Sequence, residues 1–198
     1  MGTKSRIRLT IWATAIATLA VSANVMGEEA PASSEALLQQ ARGIVSLFSE
    51  KLKSQLVEAI RAGGPVKAIE VCNVAAPVIA SEVSTEGWSV GRTSLKLRNT
   101  QNKPNEWEKQ TLDLFMVEKA KGGDLAKLER SDIVEVNGVR TFRFMKAIPT
   151  LELCLTCHGR EVKDPVKAKI AELYPSDQAT GFNLGDIRGA FTLSKPLQ

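Results

Sequence analysis

Three residues of this chain stand at a spacing that can do chemistry. Cys154 and Cys157 lie three apart, and His158 follows at once, in the segment CLTCHG. Two thiols at this interval can form thioethers with the vinyl groups on one porphyrin edge, and the next side chain then reaches the iron from one face. The spacing predicts one covalently bound haem, haem c, on Cys154 and Cys157, with His158 as the proximal iron ligand. Competing chemistries fit less well. A thioredoxin-like pair needs a strand–helix junction in a βαβ pattern, and none precedes these cysteines. A structural zinc site needs four ligands, whereas the whole chain holds three cysteines and one histidine.

Because His158 is the single histidine, bis-histidine ligation is excluded. The sixth position is open to Met116, Met145, Cys72, a lysine, water or nothing; Met26 is expected to leave with the N-terminal segment. Cys72 shares a helical side with Ile69 and Ala76, where a free cysteine also serves as a small hydrophobe. Met116 and Met145, each among apolar neighbours, read as core.

The chain has 198 residues, 24% charged and 43% hydrophobic, which suits one globular domain. Lys4, Arg6 and Arg8 precede an uncharged run over 9–27, and Glu28 is the first acid. This reads as a signal peptide over 1–27, cleaved after Ala23 or Gly27, leaving a domain over 28–198 exported to the periplasm. The alternative is an uncleaved anchor, since the run is near the lower length for spanning a bilayer; only then is a membrane a partner. No cysteine follows the run to carry a lipid. Removing 1–27 takes away three basic residues, and the formal charge falls from +4 to +1. Basic residues are scattered among acids, so no nucleic-acid partner is expected.

These residues need elements to hold them. Leu37, Leu38, Ala41, Ile44, Val45, Phe48, Leu52, Leu56 and Ile60 recur at threes and fours, which predicts an amphipathic helix over 34–62. Ser33 or Ser34 caps it, and Gly63-Gly64 ends it. Pro65 suits the first turn of a second helix, over 65–76, with a kink at Pro77. Alternation in WSVGRTSLKL predicts a strand over 88–97. A polar loop and a helix over 106–121 follow. Asn137-Gly138 between apolar runs predicts a hairpin. The segment 149–159 reads as irregular, Pro165 opens a short helix, and 187–193 reads as a last strand. The sum is an α+β domain with a mostly antiparallel sheet.

Four stretches carry a resemblance: AIEVCNVAAPVIA, VGRTSLKLRNTQNKPNEWE, CLTCHG and YPSDQATGFNLGDIRGAFTL. Together they resemble a family of small periplasmic haem proteins and sensor modules that share a PAS-like c-type haem domain. The CxxCH is common to many cytochromes; GRTSxKxRN and GDxRGA are more specific. The resemblance implies a PAS-like sheet packed on long N-terminal helices, and an axial pair of histidine and cysteine, here His158 and Cys72. Arg92, Lys96 and Arg98 lie in its polar motif. Haem propionates need cationic partners when partly buried, and Arg92 and Arg98 are the expected ones, with Arg160 and Arg188 as alternatives.

Two functions follow. One is a haem-based redox or gas sensor, since a cysteine ligand can respond to charge or oxidation state. The other is a soluble electron carrier, with Lys163, Lys167 and Lys169 as a docking rim. Either requires a redox or signalling partner protein. No acid/base or nucleophile constellation points to an enzyme.

Overall fold

The computed structural model describes residues 1–2 and 33–197. The expected signal segment, its cleavage sites and Met26 lie outside the described residues. All elements below belong to the unit Pro31–Gln198.

Helix α1 covers Ser34–Val83 and is broken once, at Gly63 and Gly64. Gly64 has φ +72°, a left-handed conformation that glycine adopts without steric cost. Pro65 then begins the second arm, where its missing N–H is not needed. The arms run over 34–62 and 65–83, and Lys51 bridges to Glu82 between them at 2.7 Å. Backbone dihedrals stay helical through Pro77, so the expected kink does not interrupt the second arm. Ser33 caps the start, its Oγ accepting from the Ala36 amide at 3.2 Å.

Strand β1 (Ser89–Thr93) is followed by a 3-10 turn (Thr100–Asn102) and helix α2 (Glu106–Ala120). Strands β2 (Glu129–Val136) and β3 (Val139–Pro149) form the expected hairpin. Asn137 and Gly138 both have positive φ, as a two-residue turn matched to strand twist requires. Helix α3 (Glu152–His158), helix α4 (Asp164–Leu173) and strand β4 (Ile187–Pro196) complete the chain. The sheet is antiparallel throughout, in the order β1-β4-β3-β2. The α+β expectation holds.

Alternation along β3 divides the core. Phe142 and Phe144 point to one face, where Leu37, Ala41, Val45 and Phe48 of α1 meet Trp88, Phe191 and Leu193. Met145 and Ala147 point to the other, under Leu112 and Phe115 of α2. Met145 is core, as expected; Met116 is not, because it faces outward on α2 at 44% exposure. A third cluster joins α4 to the second arm of α1 through Ile69, Val162, Val166 and Ile170.

Beyond a second arm of α1 that continues to Val83 and a β4 that continues to Pro196, two places differ from the sequence reading. β1 stops at Thr93, because Ser94 turns the chain: its Oγ accepts from the Lys96 amide and donates to the Arg188 carbonyl. The irregular segment 149–159 contains α3. Too short for a periodic signal, it stops at Gly159, where a Cβ would lie 2.5 Å from the Leu155 carbonyl oxygen.

Candidate haem site

Helix α3 turns the CLTCHG spacing into geometry. Residues three apart on a helix share a side, so Cys154 and Cys157 lie together, both as free thiols. Cys157 packs against the cluster of Ile69, Val162, Val166 and Ile170. Ile69 precedes Cys72 by about one turn, so the arm carrying Cys72 and the helix carrying Cys157 share one apolar contact. Burial pushes the Cys72 thiol up, while the Arg92 and Arg98 guanidiniums pull it down. The Cys157 thiol is also pushed up, by burial first and then by Cys72 and Cys154, against Arg98. Tyr174 lies in the same electrostatic neighbourhood, its hydroxyl raised by burial and by Cys72.

The loop between α4 and β4 clamps the end of α3. The His158 carbonyl accepts from the Phe182 amide at 2.9 Å, and the Gly159 carbonyl from the Gly181 amide at 3.0 Å. On the side chain, His158 Nδ1 lies 2.6 Å from the Ala179 carbonyl oxygen. A carbonyl only accepts, so Nδ1 carries the proton and Nε2 keeps its lone pair. Burial lowers the His158 pKa well below its ordinary value, and the Arg188, Arg98 and Arg92 cations add to this while the Ala179 bond opposes it. The imidazole is thus neutral, the form that binds a metal.

Arg98 holds the clamp. Its Nε and Nη2 donate to the Asp177 carboxylate at 3.1 and 3.2 Å, and Nη2 also reaches the carbonyls of Cys157 at 2.7 Å and Ala179 at 3.3 Å. Asp177 Oδ1 in turn accepts from the Ala179 amide at 3.0 Å, fixing the residue whose carbonyl meets His158. Arg98 therefore acts on the haem helix itself. Arg92 is placed differently. It makes no hydrogen bond or ion pair among the described residues, lies over the Phe48 ring at 5.7 Å, and is destabilised as a cation chiefly by burial. Arg188 is the third guanidinium here, pushed down to about 10 by burial and by Arg98 and Arg92. Arg160, the other alternative, is exposed.

A haem fits this donor set: two thiols on one helix side, a neutral imidazole whose Nε2 keeps its lone pair, and a guanidinium with no hydrogen bond among the described residues. Arg92, Arg98 and Arg188, with Lys96 over the same Phe182 ring as Arg188, are offset locally by the Asp177 carboxylate, so the site carries an excess of positive charge, which propionates would meet. Among the described residues no three His, Cys, Asp or Glu side chains converge as a metal-ion site.

Sequence reasoning missed Asp177 and the Ala179 carbonyl. The YPSDQATGF stretch held the signal, since an Asp two residues before an amide is an Asx-turn pattern, but the partner it serves lies elsewhere in the chain. The lysine rim is only partly free: Lys169 bridges Glu70 at 3.2 Å and Glu172 at 2.7 Å. No described helix is long and apolar enough to cross a membrane.

The sequence profile of the Tll0287-like family matches residues 23–196. In fold the chain is similar to the cyanobacterial heme-protein Tll0287, known from a crystal structure, with a TM-score of 0.64 and 25% identity over 83% of this chain and 97% of that one. Among proteins with curated descriptions, none matches.

Proposed function

The chain belongs to the Tll0287-like family, and from that premise we propose that it is an exported mono-haem c-type cytochrome acting as a redox or gas sensor. One observation carries the haem: α3 sets two free thiols three residues apart beside an imidazole already held at Nδ1. A bound haem supplies one-electron redox chemistry and an iron that takes diatomic gases.

The chain's own residues then have distinct tasks. Cys154 and Cys157 anchor the porphyrin edge. His158 offers Nε2 to the iron. Arg92, with no hydrogen bond or ion pair among the described residues, would meet a propionate, whereas Arg98 orients α3 through its carbonyl and carboxylate contacts. Cys72 would supply a further ligand to the iron. Burial holds the proton on its Sγ while Arg92 and Arg98 favour its loss. A thiol becomes a strong ligand only on losing its proton, so its hold on an iron would follow pH and oxidation state, which is what a sensor needs.

An electron-carrier reading draws on Leu151 and Leu153, which are 53% and 40% exposed beside Cys154, as an apolar edge for a redox partner.

The test is the protein exported in a host with haem-attachment machinery. It should keep its haem when denatured, and Cys154→Ala with Cys157→Ala should lose all of it. Cys72→Ala should change the visible spectrum, and Cys72→Met should raise the midpoint, because methionine favours ferrous iron. Haem extractable from the parent protein would refute covalent attachment. A spectrum and midpoint unchanged in Cys72→Ala would make Cys72 a core residue and remove the sensor's main support. Binding of carbon monoxide or nitric oxide to the reduced protein separates sensor from carrier.

A further inference from the structure

Arg188 occupies an irregular place in the sheet. Between β3 and β4, Ile148 pairs with Gly189 and Pro149 with Ile187, so the register skips Arg188. It is the extra residue of a β-bulge, a device that re-aims a side chain. The bulge also shifts the phase of the strand: Ile187 and Ala190, three apart, lie in the same core cluster under α2. Gly189 next to it has no alternative, because a Cβ there would collide with the Thr93 carbonyl oxygen. This close approach brings Ser94 onto Arg188. The Ser94 Oγ donates to the Arg188 carbonyl at 2.8 Å and accepts from its Nη1 at 3.2 Å, and the Lys96 carbonyl accepts from Nη1 at 3.3 Å.

So held, the guanidinium meets the His158 ring. Its Nε is 3.1 Å from Nδ1 and 3.4 Å from Nε2, and the cation also lies over Phe182 at 5.4 Å. Phe182 stands edge-on to the same imidazole. The Nδ1 proton is already committed to Ala179, so the Nε–H of Arg188 has only the Nε2 lone pair to meet, at 3.4 Å, and wherever Nε2 serves another partner the arginine acts on the ring as charge.

We infer that Arg188 is a positioning residue that sets the redox poise of the His158 ligand, placed by the bulge as a fixed positive charge against the imidazole. The inference rests on the haem reading above. A carbonyl on Nδ1–H makes an imidazole a stronger donor and favours ferric iron. A cation against the same ring disfavours the more positive ferric state. The two partners of His158 thus work in opposite directions, one from the loop and one from the sheet.

The experiment is a redox titration of the haem-loaded parent, Arg188→Gln, Arg188→Lys and Ser94→Ala. Arg188→Gln should shift the equilibrium about tenfold toward ferric, ~59 mV for one electron, with lysine restoring part of it. Ser94→Ala keeps the charge but removes its anchor, and should move the midpoint the same way by less; it also reports if Arg188→Gln does not fold. Parental midpoints in both Arg188→Gln and Ser94→Ala would make Arg188 a brace only and overturn the inference. A parent without covalent haem would instead overturn the haem reading from which it starts.

Discussion

The two ends of the sheet are built on opposite principles. Under the first arm of α1, Phe48, Phe144, Leu37 and Leu193 are almost wholly removed from water, with rings in contact at 5.4 Å between Phe48 and Phe191. At the other end, the guanidiniums of Arg98 and Arg188 and a neutral imidazole meet, with Arg92 between the two ends over the Phe48 ring. The first arrangement stabilises by removing surface from water. The second costs desolvation and is held by directed bonds, Arg98 on three backbone or carboxylate partners and Arg188 on Ser94 and Lys96. The lesson is a division of labour: one end keeps the fold so that the other can carry unneutralised charge.

The comparison can be broken by substitution. Phe144→Ala should cost the most, ~3–5 kcal/mol, read as a lower denaturant midpoint, while the absorption spectrum of the folded fraction stays parental. A changed spectrum would mean that the two ends are coupled through β3. Arg98→Gln should cost less, about 2 kcal/mol for its lost charge-assisted bonds, yet it should alter the haem spectrum, because Ala179 is no longer held on His158. Arg98→Lys should not rescue it, since an ammonium cannot span Asp177 and two carbonyls as a planar fork does. Full rescue would assign Arg98 a charge role only.

The smallest effect concerns the stable end alone. Burial pushes the Glu129 carboxyl up, but the bonds from Arg42 and Lys146 outweigh it and hold it below its ordinary value. A carboxyl lowered by folding contributes stability at pH above its unfolded value of about 4.5, and that contribution disappears as pH falls through the lower folded value. Denaturant titrations from pH 6 to pH 3 should show this loss in the parent and a flatter profile in Glu129→Gln. Identical profiles would mean that the Arg42–Glu129 link between α1 and β2 does nothing for the fold.

Much of this was legible from residue order. Period and glycines located both arms of α1 and their break, because local conformation there is dictated locally. Asn137-Gly138 announced the hairpin for the same reason. Spacing singled out Cys154, Cys157 and His158, and α3 sets them on one short helix. What escaped was whatever depends on contacts distant in sequence: that 152–158 is helical, that a peptide carbonyl at Ala179 orients His158, and that Arg98 serves this peptide while Arg92 is left without a partner. Arg188 appeared among the alternatives, but the bulge that aims it is a property of two paired strands and has no signature in either alone.

The sheet order has a consequence for timing. β4 lies between β1 and β3, so β1 finds its neighbour in the sheet only after the chain through Pro196 has been made. Ala179 and Arg188, which restrain His158, also follow the two cysteines in the chain. Before that stretch emerges, CLTCHG is unclamped; once β4 slots in, loop and strand close around it. The strand that completes the sheet is thus also the one that fixes His158 in place.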